Sequence, residues 1–347
     1  MQDLKSQGMT NALQTNLDLS QVTTVWAGVI AMTMFHTTVY GGNQMMVQRC
    51  MAAKSMGDAK KAMLMMGYVA FFIYFVFILL GVLFNAYYDG KEFENGNTII
   101  LHYASEYGMP GLMGIIAAAI LAASMSSLDS AFNSMATVSV TDFYKRFYKK
   151  NESEEHYLKA SRFFTVMWAL CIIIPAFMFA TSSGSVLEIL SKAGSYFVGA
   201  NFCMFVLGFY SKHITEKGLL LGVAASFLAI WYVAVATDIA WPWYCVIGVL
   251  VNTIVAYAAS LWLTGKQTKM HLYTIKGQQA EYARLNKPIK EDGWYVVPGK
   301  IDAPCWGLLV MFVFSLVLLW GINEFIDNAP MLINFIRICS VIVATSI

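Results

Sequence analysis

Eight apolar runs divide this chain of 347 residues, each near the length that crosses a bilayer. A membrane-crossing helix needs about 20 apolar residues. The runs lie at 22–46, 62–88, 109–140, 163–180, 189–210, 219–237, 243–264 and 304–322. The third is too long for one straight crossing and is expected to continue past the membrane as a helix ending near Lys145. Residues 331–347 are apolar but contain Arg337, so they read as either a ninth span or an interfacial tail within the C-terminal stretch 323–347. Residues 1–21 are polar and lack a charged n-region followed by an apolar h-region. They read as an extracellular lead-in, not a signal peptide.

Composition narrows the function classes. The chain is 58% apolar and 13% charged, with a mean hydropathy of +0.57, whereas soluble domains carry about 25% charged residues. That excludes a soluble enzyme. A net charge of +2 without a basic patch argues against nucleic acid as a partner. The six cysteines have no CxxC spacing, so neither a zinc site nor a disulfide framework is signalled. No HExxH, GxSxG, P-loop or GxGxxG pattern points to catalysis or to an organic cofactor. A polytopic protein of the plasma membrane, with the bilayer as its first partner, is what remains.

Loop charge orients the spans. The segments 47–61, 142–162, 211–217 and 265–300 hold 4, 6, 2 and 7 Lys and Arg, which is 19 of the chain's 23. Opposite-side loops are acidic, as at Asp89, Glu92, Glu94 and Glu106, or short. Basic loops stay cytoplasmic, so the first span is expected to run inward. The longest polar stretch, 265–301, reads as a cytoplasmic loop that folds weakly against the membrane face.

Polar side chains inside a bilayer are costly and mark function, and two spans concentrate them. The third runs Ala-Ala-Ser-Met-Ser-Ser-Leu-Asp-Ser-Ala-Phe-Asn-Ser from Ala122 to Ser134. At about 100° per residue, Ala123, Ser126, Ser127, Ser130, Asn133 and Ser134 share an arc of about 120°, and Asp129 widens it to about 160°. Such a face suits a hard cation, which wants oxygen ligands. Small-residue helix packing also accounts for its Ser and Ala. It accounts poorly for Asp129, because a carboxylate at the bilayer centre costs about 3 kcal/mol.

The first span carries Gly41-Gly42 beside His36, Thr37, Thr38, Asn43 and Gln44. Paired glycines weaken a helix, and carriers use interrupted helices to expose backbone dipoles near the midplane. A kink with polar packing contacts is the alternative, and His36 is equally well read as a satisfied core histidine.

At these two segments the sequence resembles the sodium/solute symporter family. Asn43-Gln-Met-Met-Val-Gln-Arg-Cys-Met-Ala-Ala-Lys54 is similar to its NQxxxQRxLAAK signature. Ser126-Ser-Leu-Asp-Ser-Ala-Phe-Asn-Ser134 with Thr141-Asp-Phe-Tyr144 is similar to its SSLxSxxNS…TDxY signature, and Ile189-Leu-Ser-Lys-Ala-Gly-Ser-Tyr-Phe197 resembles the start of the tenth core helix. The resemblance implies an all-α polytopic membrane fold. It would be the C-terminal part of a leucine-transporter-type inverted repeat with about eight spans present. Residues 22–322 would form the transporter core and trailing spans, and the missing N-terminal spans would be a partner. It further implies a shared sodium site at Ala123 (carbonyl), Ser126 and Ser127 (hydroxyls), and a second sodium at Asp129 and Ser130. Asp129 departs from the serine that the family places there. His36, Thr37, Val39, Tyr40 and Asn43 become substrate or gate candidates. Tyr-Gly-x-Asn-Gln is closer to the vitamin, iodide and monocarboxylate branch, and the serine-rich run is closer to the sugar and sialic acid branch, so substrate class stays open. The implied function is sodium-coupled symport of a small organic solute, with sodium as the coupling ion and no organic cofactor. The alternative is a non-transporting membrane sensor module, or another polytopic membrane protein, that reuses the transporter fold.

Overall fold

A hydrocarbon environment offers backbone N–H and C=O groups no water, so a spanning segment must satisfy them internally. The computed structural model describes residues 14–328, apart from 90, 92, 94, 109, 181–185 and 264–272, and is built of helices that do so. The possible ninth span at 331–347 and most of the lead-in 1–21 lie outside the described residues. A π-helical turn, Ala27–Met32, leads into α1 (Thr33–Gly41), and a two-residue break separates α1 from α2 (Gln44–Met51). Then come α3 (Met56–Tyr87), α4 (Ile99–Tyr107) and α5 (Leu112–Val138), which continues as a π-helical segment, Ser139–Tyr148. The expected extension of the third run past the membrane is this segment. There follow α6 (Glu154–Ala180), α7 (Val186–Tyr210), α8 (Glu216–Ala236), α9 (Pro242–Trp262), α10 (Ile275–Arg284) and α11 (Ala303–Asn328). Among the described residues six helices are long and apolar enough to cross a membrane unaided, and α11 supplies a shorter apolar stretch.

The chain divides into two compact units. The first comprises residues up to Asn43, Arg49–Lys91 and Ser191 onward. Its densest packing is between α8 and α9, and the cause is a four-residue repeat of small side chains. Gly218, Gly222 and Ser226 on α8 meet Ser260, Ala256, Asn252 and Gly248 on α9. Small residues let helix backbones approach closely. A Cβ at Gly222 would overlap the Asn252 amide and lie 2.7 Å from the Asn252 carbonyl oxygen. Thr215 caps α8 by accepting from Gly218 N–H at 3.2 Å, while Ser260 Oγ accepts from Thr215 N–H at 3.0 Å. Beyond the hairpin turn, Trp243 and Ala240 pack on Ala27, and Ile230, Trp241 and Tyr244 gather Met32, Phe35 and Tyr196. The α8–α9 hairpin thus backs the stretch that leads to the break.

Residues 273–302 are more ordered than their sequence suggested. Thr274 caps α10 by accepting from Gly277 N–H, and a short hairpin pairs Lys290 with Tyr295 and Glu291 with Trp294. Its two turn residues, Asp292 (φ 48°) and Gly293 (φ 84°), are both left-handed, as the tight turn matching strand twist requires. A three-way clasp then ties this hairpin to α3. Lys60 Nζ donates to the Asp302 carboxylate and to the Tyr295 carbonyl, both at 2.5 Å, and Asp302 also accepts from Tyr295 N–H at 2.9 Å. Trp294 covers Gly57, where a Cβ would come within 2.9 Å of the indole. Tyr68 Oη donates to the Pro304 carbonyl at 3.0 Å, which seats α11 against α3.

The second unit comprises Gln44–Gln48 and Glu92–Leu190. Here α5 and its π-helical extension pack on α6, pinned by Trp168 Nε1–H donating to Ser139 Oγ at 2.9 Å. The elbow between them closes on Tyr144 Oη and His156 Nε2, 2.9 Å apart with stacked rings, and on Tyr157 Oη, which donates to the Lys149 carbonyl at 2.7 Å.

Two outcomes follow from this packing. Gly222→Ala should destabilise the chain by about 1–3 kcal/mol through overpacking. Gly114→Ala, whose Cβ would meet nothing within 4 Å, should be neutral or stabilising by up to about 1 kcal/mol. Thermal unfolding in detergent checks this, and equal midpoints would contradict the assigned packing. The Lys60 ammonium, and then the Tyr295 N–H, hold the Asp302 carboxyl below the usual carboxylate range. Its contribution is therefore complete above the unfolded value of about 3.9 and is lost as pH falls through the lowered folded value. Asp302→Asn at neutral pH should speed amide hydrogen exchange over 289–302 by about tenfold, and unchanged exchange would show the clasp to be idle.

Candidate functional site

The oxygen-bearing face of α5 lies within the second unit. Its hydroxyls descend the helix in steps of one turn. Ser126 Oγ donates to the Ala123 carbonyl at 3.0 Å, Ser130 Oγ to the Ser126 carbonyl at 3.1 Å and Ser134 Oγ to the Ser130 carbonyl at 2.9 Å. Back-bonding of this kind satisfies the hydroxyl hydrogen and leaves the oxygen lone pairs facing outward. Ser127 is the exception: its hydroxyl has no hydrogen-bond partner among the described residues. Ala123, Ser126, Ser127 and Asp129 are exposed, and Ser130 is half-buried. One turn further on, Ser134 is only 6% exposed and also reaches Gln48 Oε1 at 3.2 Å. Residues 123–127 thus present a backbone carbonyl and two hydroxyls within about one helical turn. That is part of the oxygen shell a hard cation needs in exchange for its water.

The break in the first run falls where the paired glycines were expected to place it. Gly42 and Asn43 stand outside both helices, and Gly42 N–H donates to the Thr38 carbonyl at 2.8 Å to close α1. A Cβ at Gly42 would lie 2.7 Å from the Phe205 ring, so α7 packs directly on the break. The His36 ring stacks on Tyr40, with centroids 5.7 Å apart and planes at 19°, and meets Phe35 edge-on at 5.6 Å. Its Nδ1 is buried and has no hydrogen-bond partner among the described residues. Thr37 is exposed and donates to the Thr33 carbonyl at 2.7 Å, whereas Thr38 is buried and donates to the Met34 carbonyl at 3.1 Å. Val39, Tyr40 and Asn43 are half-buried. His36, Thr37, Val39, Tyr40 and Asn43 belong to the first unit, and the α5 face belongs to the second.

Two polar residues, Gln48 and Asn252, have packing roles that their local sequence does not announce. Gln48 was read only as part of a cytoplasmic motif, yet it is the partner of Ser134. Its signal was its place in the Asn43–Lys54 motif. Asn252 is fully buried against Gly222. The signal for it was the spacing of Gly248, Asn252, Ala256 and Ser260, four residues apart in an otherwise apolar span.

Comparison with known proteins agrees with these features. The model of the sodium:solute symporter family matches residues 2–225. A sodium/sialic acid symporter of Aliivibrio fischeri is 28% identical over 226 residues, which is 63% of this chain and 44% of that protein. Sodium/glucose cotransporter 1 of Ovis aries is 27% identical over 219 residues, 58% of this chain and 33% of that one. The chain therefore spans less than half the length of these relatives. A solved structure of a Na+-coupled sialic acid symporter, substrate-bound and outward-open, superposes with a TM-score of 0.62 at 21% identity, covering 76% of this chain and 55% of the other. That likeness shows the symporter fold. With its apolar spans, broken first helix and family match over well more than half its length, this chain is a multi-pass membrane protein that belongs to the sodium:solute symporter family.

Proposed function

We propose that these residues form part of a transporter that couples inward movement of sodium across the plasma membrane to uptake of a small organic solute by alternating access. The observation that carries the reading is the exposed turn of α5 that holds Ala123, Ser126 and Ser127, inside the family-matched region. Sodium binds there through the Ala123 carbonyl and the two hydroxyls. Asp129 and Ser130, in the next turn, hold a second ion. Because α5 exposes this face, its remaining ligands come from other helices of the complete transporter, whose relatives are longer than this chain. The relatives' names point to a polar, sugar-like or sugar-acid solute. His36, with its unpartnered Nδ1, and Thr37, Val39, Tyr40 and Asn43 beside the break are its contacts. The driving force suffices: one sodium ion crossing 100 mV yields about 2.3 kcal/mol and a tenfold gradient about 1.4 kcal/mol more.

In proteoliposomes holding the complete transporter, uptake should vanish when choline replaces sodium, and persistence of uptake would overturn the reading. Ser127→Ala should raise the sodium concentration for half-maximal uptake about tenfold or more, at least about 1.4 kcal/mol. Ser124→Ala, on the other side of the helix, should change it little, and equal effects of the two would show the face to be misassigned. Asp129→Asn should lower the sodium Hill coefficient towards one. An unchanged coefficient would make Asp129 a structural group.

A further inference from the structure

A cleft of about 400 Å³ opens where the hairpin meets the first turn of α11, lined by Lys290, Asp292, Trp294, Tyr295, Asp302 and Trp306. Its charges divide unequally. Asp302 is 4% exposed and already taken by Lys60 and the Tyr295 N–H. Lys290 and Asp292 are exposed, and neither forms an ion pair among the described residues. The Lys290 ammonium rests 4.3 Å from the centroid of the Tyr295 ring, which fixes it at the wall of the cleft. One cation and one anion, two positions apart on the hairpin, are thus left without an ion pair among the described residues. Beside them Trp306 is 56% exposed on the first apolar turn of α11. Indole rings at the start of a span sit at headgroup depth, and the basic loops place this end of α11 at the cytoplasmic leaflet.

We propose that this cleft seats the zwitterionic headgroup of a phosphoethanolamine lipid of that leaflet, with its phosphate on Lys290 and its ammonium on Asp292, and with its glycerol and acyl chains running past Trp306 along α11. Complementarity of charge selects this class. A purely anionic headgroup leaves Asp292 facing negative charge, and a quaternary ammonium offers that carboxylate no N–H donor. Asp292 also serves the left-handed turn, and asparagine serves it equally well, so Asp292→Asn removes the charge while keeping the hairpin. The Lys60 clasp positions both groups without touching the lipid.

Native mass spectrometry of the purified chain, equilibrated with equal amounts of dioleoyl phosphatidylethanolamine, phosphatidylcholine and phosphatidylglycerol, tests the proposal. The chain should retain one phosphatidylethanolamine preferentially. Lys290→Gln and Asp292→Asn should each reduce that retention about tenfold at unchanged helicity and melting temperature, and Lys149→Gln, at a lysine of the second unit paired with Glu152, should not. Preference for phosphatidylglycerol, or full retention in Asp292→Asn, would overturn it. A phosphatidylethanolamine carrying a photoreactive headgroup, incorporated into membranes with the chain, gives a second readout that does not depend on purification. Label should appear within 290–306 and fall in Asp292→Asn, and label found only elsewhere would refute the site. Neither measurement uses transport, so failure here and failure of the sodium reading are distinguishable.

Discussion

A backbone amide in hydrocarbon has no water to turn to, so every departure from the helical ladder must be met by another group of the protein. That constraint makes the few departures in this chain informative. At the α1–α2 break the Thr38 carbonyl takes the Gly42 N–H, and Phe205 closes over the glycine where any larger residue would displace it. Two π-helical segments, Ala27–Met32 and Ser139–Tyr148, alter the ladder beside the candidate sites, one entering α1 and the other extending α5. Such segments recur at functional sites because they widen the helix and re-aim the side chains around them.

Small polar residues play two different roles here, and burial separates them. On α8 and α9, Ser226, Asn252 and Ser260 lie between closely packed backbones, where their size permits the approach. On α5, Ser126 and Ser127 have the same size and polarity but are exposed among the described residues. The α5 face changes character along its own length. Ser134, near its end, is buried against Gln48, and Ser127, two turns earlier, is exposed. A cation held by the early residues would rest on a helix whose later residues are already fixed.

The clasp of Lys60, Asp302 and Tyr295 joins two stretches that lie more than two hundred positions apart in the chain. Asp302 is buried at the cost of its hydration, and that burial is tolerable because an ammonium and a backbone N–H both reach it. The same clasp ties down the hairpin that carries Lys290 and Asp292. The proposed sodium site and the proposed lipid cleft rest on different residues.

Much of this architecture was legible in the sequence. Apolar runs of spanning length and polar loops between them follow from solvation alone, which acts on each segment without reference to its neighbours. The break at Gly41–Asn43 was legible because glycine weakens a helix locally. The α5 face was legible because helical periodicity converts spacing directly into direction. Tertiary structure decided what depends on distant partners. Gln48 meets Ser134, and the segment after α9 forms a helix and a clasped hairpin where weak packing was expected. Lys60 carries no mark in the sequence that separates it from Lys61, yet Lys60 reaches Asp302 whereas Lys61 pairs with Asp58 on its own helix. Periodicity places a side chain on a face, but only the fold brings to that face the group it will meet.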